Sequence, residues 1–415
     1  MDFWNLLAAL LTLTALFAYL NDRWLKQPTA TGTMLVALLF SLALIVLHRW
    51  GLDLSEPVGA LLKHIHFETT VLHGMLGYLL FAGALQIDVS RLKENAWVVI
   101  VLASLGTLLS TLFIGIVAYY TLQWVGLPLP FIASLLIGAL ISPTDPVAVL
   151  AILKTAGAPP SLDIQIAGES LFNDGVALTL FLLFFAMTFN TVSASWDTAF
   201  TAFAVEVAGG ITLGAALGWS CFYLLQRVTG PTVIILLTLA VASGGFALAR
   251  HLGVSAPLAM VVAGLIVGHR GRHHALTPAG RDQLYLFWSV IDEILNAVLF
   301  VLIGMEVVVM PFHRAYVQAL LALIPGVLAA RALSTGVPWL LMRRHCHFDD
   351  GALTILVWGG LRGALSIALA LSLPPGKVRD TAVAVTYGVV VFSMLVQGTT
   401  IRRLVARCTA RPEAR

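Results

Sequence analysis

Charge is what this chain has least of. Asp, Glu, Lys and Arg make up 11% of its 415 residues, against roughly 25% in a soluble domain. That is too little to coat a globule of this size in water. Cysteine is also scarce: Cys221, Cys346 and Cys408 are odd in number and far apart, so neither a disulfide framework nor a zinc knuckle is implied. The net charge is only +3, with basic residues standing singly or in pairs, which argues against nucleic acid as a partner. The start, Met1-Asp2-Phe3-Trp4, lacks the basic n-region of a cleaved signal, so the first apolar segment is expected to be a retained helix. Histidines occur at His64/His66, His73, His269/His273/His274 and His345/Cys346/His347, but no helical pair stands beside a carboxylate. They read as interface residues or cytoplasmic pH sensors rather than as a zinc site. No cofactor is expected.

What fills the chain instead is apolar: 59% of residues, with a mean hydropathy of +0.93. The apolar residues come in runs of roughly 20, the length that spans a bilayer core. The fold class is an all-α integral membrane protein of about thirteen spans. They fall near residues 4–20, 33–47, 69–89, 96–122, 131–155, 162–189, 199–225, 231–250, 256–267, 284–309, 316–342, 352–373 and 381–404. With the N-terminus outside, sixteen of the 24 Lys and Arg fall on the cytoplasmic side and six on the other. That asymmetry predicts N-out, C-in. Residues 405–415 read as a short basic cytoplasmic tail, with no regulatory domain expected beyond it.

Charges placed within a span are costly, at least ~2.5 kcal/mol at the bilayer centre, and mark functional sites by default. Seven acids fall at depth: Asp145, Glu169, Asp174, Glu206, Asp292, Glu293 and Glu306. Only Arg331 and Arg362 oppose them. An acidic excess suits a cation path.

Span five reads Ser142-Pro143-Thr144-Asp145-Pro146. Two prolines remove two backbone donors and bias the residues before them out of the helix. The helix should break in mid-membrane and leave free carbonyls beside Thr144 and Asp145, as secondary transporters do at their ion sites. In span six, Ser170 and Asp174 lie one turn apart, as do Glu169 and Asn173, so two polar stripes look into the bundle. A carboxylate in a low-dielectric site can hold a proton near neutral pH. If the same group also binds a cation, the two compete, and exchange needs no other chemistry. Glu169 reads as the acid paired with Arg331 or Arg362, which leaves Asp174 over. Span twelve carries Gly359, Gly360 and Gly363 around Arg362, a second weakened segment. With span seven as a linker, both interruptions fall at position five of a six-span half, the positional mark of an inverted repeat. In span ten, Asp292 precedes Asn296 by one turn and marks a candidate cation route. Gly210, Gly214 and Gly218 form a small-xxx-small packing stripe.

Four stretches together carry a resemblance: SPTDPVAV (142–149), GESLFNDGVAL (168–178), FWSVIDEILNAVLFVLIG (287–304) and GLRGALSIALALSLP (360–374). The chain resembles the monovalent cation:proton antiporters of the NhaP type, bacterial relatives of the eukaryotic sodium/proton exchangers. The resemblance implies an inverted-repeat fold with two crossed discontinuous helices, spans five and twelve. It implies a mobile core over residues 96–190 and 316–404, and a dimerisation scaffold over residues 1–95 and 198–310. Carried over by position, Asp174 is the ion- and proton-binding carboxylate and Asn173 its partner. Thr144, Asp145 and Ser170 complete the site for sodium, and Glu169 with Arg362 forms a structural ion pair. Asn173 in place of a second acid goes with electroneutral exchange. One departure is Ala82, where relatives often carry an acid beside the cation path.

The function expected is sodium (or lithium)/proton antiport by alternating access in the cell inner membrane. It would be electroneutral, homodimeric and serve pH and sodium homeostasis. Potassium/proton exchange is the rival within the class. An intramembrane protease is the rival outside it, although Asp145 lies in Thr-Asp-Pro rather than a Gly-Asp context. No enzyme activity is expected.

Overall fold

A computed structural model describes residues 3–50, 70–156, 159–189, 196–271, 276–308, 313–344, 346, 348–349 and 351–409. Among these residues the secondary structure is helical throughout. The helices are α1 (Phe3–Leu20), α2 (Thr29–Arg49) and α3 (Leu76–Gln86). They continue with α4 (Ala96–Trp124), α5 (Phe131–Ile141), α6 (Val147–Ala156) and α7 (Pro160–Thr188). Next come α8 (Trp196–Leu225), α9 (Pro231–His251), α10 (Ala256–Arg270) and α11 (Pro278–Glu306). The last are α12 (Arg314–Met342), α13 (Ala352–Trp358), α14 (Ala364–Leu371) and α15 (Lys377–Cys408). Eight helices among the described residues are long and apolar enough to cross a membrane.

The starts of these helices follow from the sequence. Proline stands in the first turn of α7, α9, α10 and α11, where its missing N–H costs nothing. Thr277 caps α11 by accepting from the Gly280 N–H at 3.2 Å. Exposed Trp4, Trp24, Trp50, Trp97 and Trp124 stand at helix ends, as the aromatic belts of a bilayer require. The glycine stripe of α8 packs on α10. A Cβ on Gly214 would lie 2.4 Å from the Ala259 carbonyl, and one on Gly210 would lie 2.6 Å from that of Ser255. Only hydrogen at these positions allows that backbone approach.

α11 sets the wall of the site. Trp288 is fully buried, donates from Nε1 to Thr238 Oγ1 of α9 at 3.0 Å, and packs its ring 4.9 Å from that of Phe81 in α3. Its far half, Val298 to Met305, is buried against a core that includes Phe17 of α1 and Met34 of α2. A Cβ on Gly304 would fall 2.6 Å from Ala37 Cβ, so α11 and α2 are in close contact. Held at both ends, α11 presents Asp292 and Asn296 one and two turns beyond Trp288.

Candidate functional site

Two interruptions meet inside the bundle. α5 ends at Ile141 and α6 begins at Val147, with the Pro143–Pro146 stretch outside any helix between them. α13 ends at Trp358 and α14 begins at Ala364, with Gly359–Gly363 between. The Asp145 N–H donates to the Leu361 carbonyl at 2.7 Å, so each break satisfies the other. This is the buried, non-helical backbone that a membrane interior tolerates only when protein or a cavity surrounds it.

The free ends are capped by charge. Arg362 donates from Nη1 to the carbonyls of Ser142 and Pro143, the negative end of α5. Arg331 donates from Nη2 to the Leu356 carbonyl of α13 at 2.9 Å. At the other polarity, Asp145 Oδ1 accepts from the Val147 N–H at 3.0 Å, at the start of α6. A Cβ on Gly363 would lie 2.7 Å from Asp145 Oδ2, so the carboxylate also sits against the start of α14. Cations at helix C-termini and an anion at two N-termini are the arrangement the helix dipoles favour.

α7 crosses beside the first break. Ser170 Oγ donates to the Thr144 carbonyl, and Asn173 Nδ2 donates to Thr144 Oγ1 at 2.8 Å. Thr144, Ser170 and Asn173 are buried, whereas Asp145 and Asp174 are half-buried. Both carboxylates open on one cavity of about 480 Å³, which Thr144, Ser170, Asp292 and Asn296 also line. Asn296 Nδ2 donates to Asp292 Oδ1 at 3.1 Å on the opposite wall. Every residue predicted for the ion site or its route therefore borders this cavity or bonds directly to one that does.

One pairing differs from expectation. The residues alone leave Arg331 and Arg362 both open to Glu169, and the resemblance implies Arg362; the ion pair is with Arg331, Nη1–Oε1 at 2.5 Å and Nη2–Oε2 at 3.0 Å, a bidentate fork with both side chains buried. The reason lies in the broken helix. Arg362 stands in the interruption itself, and the two free carbonyls of Ser142 and Pro143 engage its guanidinium, while Arg331 reaches Glu169 from the long α12. Arg331 and Arg362 both stand beside Gly360, and the direct ion pair with Glu169 is made by Arg331.

The cavity also takes in Asp88, Arg91 and Asp163, which no motif marks, together with Ser289, and with Glu293, one of the acids at depth. Asp88, Arg91 and Asp163 lie at helix ends or in turns, where charge is ordinary and carries no signal. Ala82 is fully buried; its neighbour Gly83 borders the cavity instead. His64, His66, His273, His274, His345 and His347 lie outside the described residues. Among the described residues no group of three or more His, Cys, Asp or Glu is arranged to hold a metal.

A helical membrane bundle with paired helix interruptions at an acid-lined cavity is the architecture of a secondary transporter. The chain belongs to the sodium/hydrogen exchanger transmembrane family, which matches residues 11–407. It is 44% identical over 411 residues to the Na(+)/H(+) antiporter NhaP of Pseudomonas aeruginosa, covering 98% of this chain and 97% of that protein. It is 34% identical over 342 residues to the Na(+)/H(+) antiporter ApNhaP of Aphanothece halophytica, covering 81% of this chain and 64% of that protein. The sodium proton antiporter MjNhaP1 of Methanocaldococcus jannaschii shares the fold, with a TM-score of 0.75 at 18% identity over 98% of this chain and 99% of that one.

Proposed function

We propose that this chain exchanges sodium, and lithium, for protons by alternating access, one for one. The observation that carries the reading is the placement of Asp145 and Asp174 on one cavity at the junction of two helix breaks. Asp174 takes the proton or the cation. Asp145, Thr144 and Ser170 complete the cation's shell, Asn173 holds Thr144 in place, and Asp292 with Asn296 lines the approach. An ionised, empty Asp174 is costly to carry across the barrier, while a neutralised one can cross. That difference couples the two fluxes without any covalent step.

The same reading counts about thirteen spans, with α5–α6 and α13–α14 each a single discontinuous and mutually crossing span. Residues 96–190 and 316–404 move as the core against a scaffold of residues 1–95 and 198–310, through which two copies pair. The chain sits in the cell inner membrane with its N-terminus outside. On that orientation Asp88, Arg91 and Asp163 line the cavity from its cytoplasmic side. The role is sodium and pH homeostasis.

The test is proton flux in proteoliposomes holding a pH gradient, with sodium, lithium or potassium added in turn and the membrane potential clamped or free. Sodium and lithium should move protons equally with and without the clamp. Asp174→Asn should abolish the response while the protein still folds. A preference for potassium would change the cargo, and flux through the Asp174→Asn variant would remove Asp174 from the site.

A further inference from the structure

The second interruption carries none of the proposed cation ligands, yet side chains from a separate helix brace it. α15 widens by one residue into a π turn at Ser393–Gln397, opposite the gap between α13 and α14. Such single-turn widenings are frequent at functional sites. Ser393, Gln397 and Thr400 lie four and three residues apart, one stripe of the helix, and all three bond across the gap. Gln397 Nε2 donates to the Trp358 carbonyl, the last residue of α13, at 3.1 Å. Gln397 Oε1 accepts from Ser393 Oγ at 2.8 Å, and Ser393 Oγ accepts from the Arg362 N–H at 3.0 Å. Thr400 Oγ1 accepts from Trp358 Nε1 at 3.0 Å. Ser393 and Gln397 are both buried.

These bonds form a closed sequence. It starts at the C-terminal end of α13, passes through the Gln397 amide and the Ser393 hydroxyl, and re-enters the main chain at Arg362. The next residue back, Leu361, accepts the Asp145 N–H at 2.7 Å. A side chain in this place must donate at one end and accept at the other. Glutamine does so with a neutral group; glutamate has no donor when ionised, and methionine has no donor and only a weak acceptor. The chain of bonds therefore ends one bond from a carboxylate on the ion cavity.

We infer that Gln397, acting through Ser393, is a positioning residue for the ion site: it fixes the 359–363 break and, through Leu361, the backbone of Asp145. This rests on the antiport reading above for the identity of the cation, but not for the bracing. Partners that orient a ligand from outside the coordination shell typically change cation affinity by tenfold or more when removed, whereas a residue needed only for packing changes yield.

Two variants test it. Gln397→Met conserves volume and removes both bonds; Ser393→Ala cuts the same chain at its next link. Hydrogen exchange followed by mass spectrometry should show faster exchange over 142–147 and 359–363 in each variant, with the flanking helices unchanged. In proteoliposomes the apparent KM for sodium should rise by about tenfold in each, with kcat altered far less. The double variant should lose little more than either single one, because both sit on one chain. Unaltered exchange at the two breaks, or an unaltered KM in active protein, would overturn the inference. A wild-type protein that moves no protons on sodium addition would instead overturn the antiport reading, and the exchange measurement would still decide the bracing.

Discussion

The two broken segments do the same geometric job by opposite means. The first, Ser142–Pro146, is opened by prolines, which remove donors and keep the backbone out of the helix. It spends its side chains on chemistry: Thr144 and Asp145 face the cavity, and its free carbonyls are met by Arg362 and Ser170. The second is opened by glycines, and the space they leave is already occupied. A Cβ on Gly360 would lie 2.4 Å from Arg331 Nε, and one on Gly363 would lie 2.7 Å from Asp145 Oδ2. One break supplies a carboxylate on the cavity; the other supplies room for it and the opposing charge. An aspartate in mid-membrane therefore needs the absence of side chains on a partner segment far away in sequence.

The sharpest way to break that division is to remove the charge that ties the second break to α7. Arg331→Ala strands Glu169 in a buried site and frees the Leu356 carbonyl. Losing one partner of a buried ion pair costs about 3–5 kcal/mol. We expect little folded protein in detergent, judged by yield and by the thermal midpoint. Joint replacement, Arg331→Met with Glu169→Leu, should recover much of the loss, because neither partner of the direct pair is then left behind and Arg362 keeps its carbonyl partners. Recovery by Arg362→Met with Glu169→Leu in the presence of Arg331 would instead return Glu169 to Arg362.

The next effect tests whether the glycines are spacers. Gly360→Ala drives a methyl into a guanidinium held at both ends, by Glu169 and by Leu356, so Arg331 cannot step aside. Forcing extra volume into a packed site typically costs about 1–3 kcal/mol, and the thermal midpoint should fall accordingly. Gly363→Ala instead meets Asp145 at both its Cβ and its Oδ2, each 2.7 Å away, so the methyl displaces a carboxylate that borders the cavity. We expect that variant to lose stability as well, by about 1–3 kcal/mol, and in addition to bind sodium about tenfold more weakly, a rise in KM that Gly360→Ala should not show. An equal KM in the two variants would mean that the two glycines answer to the backbone and not to their different neighbours.

Much of this division was legible in the residues. The proline bracket located the first break to the residue, and the glycine cluster located the second. The one-turn spacings along α7 put Ser170 and Asp174 on a common stripe that the structure places on the cavity. Partner choice was not legible. Two buried arginines stood against Glu169, and residue spacing gives no distance between elements 162 or 193 positions away. Geometry settled it, because an arginine inside a break finds unsatisfied carbonyls before it finds a carboxylate. The Ser393–Gln397 brace was hidden for a related reason. A serine and a glutamine four apart on an apolar helix are ordinary until the gap they face is known, and a π turn leaves no residue signature.

The smallest effect tests the first break on its own terms. Thr144 joins it to α7 through two separable groups, the carbonyl that accepts from Ser170 and the hydroxyl that accepts from Asn173. Thr144→Val keeps shape and carbonyl and removes only the hydroxyl. Asn173 Nδ2 then loses its acceptor, on a side chain whose Oδ1 already accepts from no donor within the described protein. Leaving a buried donor unpaired costs about 1–3 kcal/mol. The lower end applies because Thr144 borders the cavity, so water can take the hydroxyl's place. The loss should appear as a shift of a few degrees or less in thermal midpoint and a severalfold rise in sodium KM. Thr144→Ser, which keeps the hydroxyl and drops the methyl, should restore the KM without fully restoring the midpoint. If valine and serine behave alike, the hydroxyl does no work at the site, and the first break would then act as the second does, through its backbone alone.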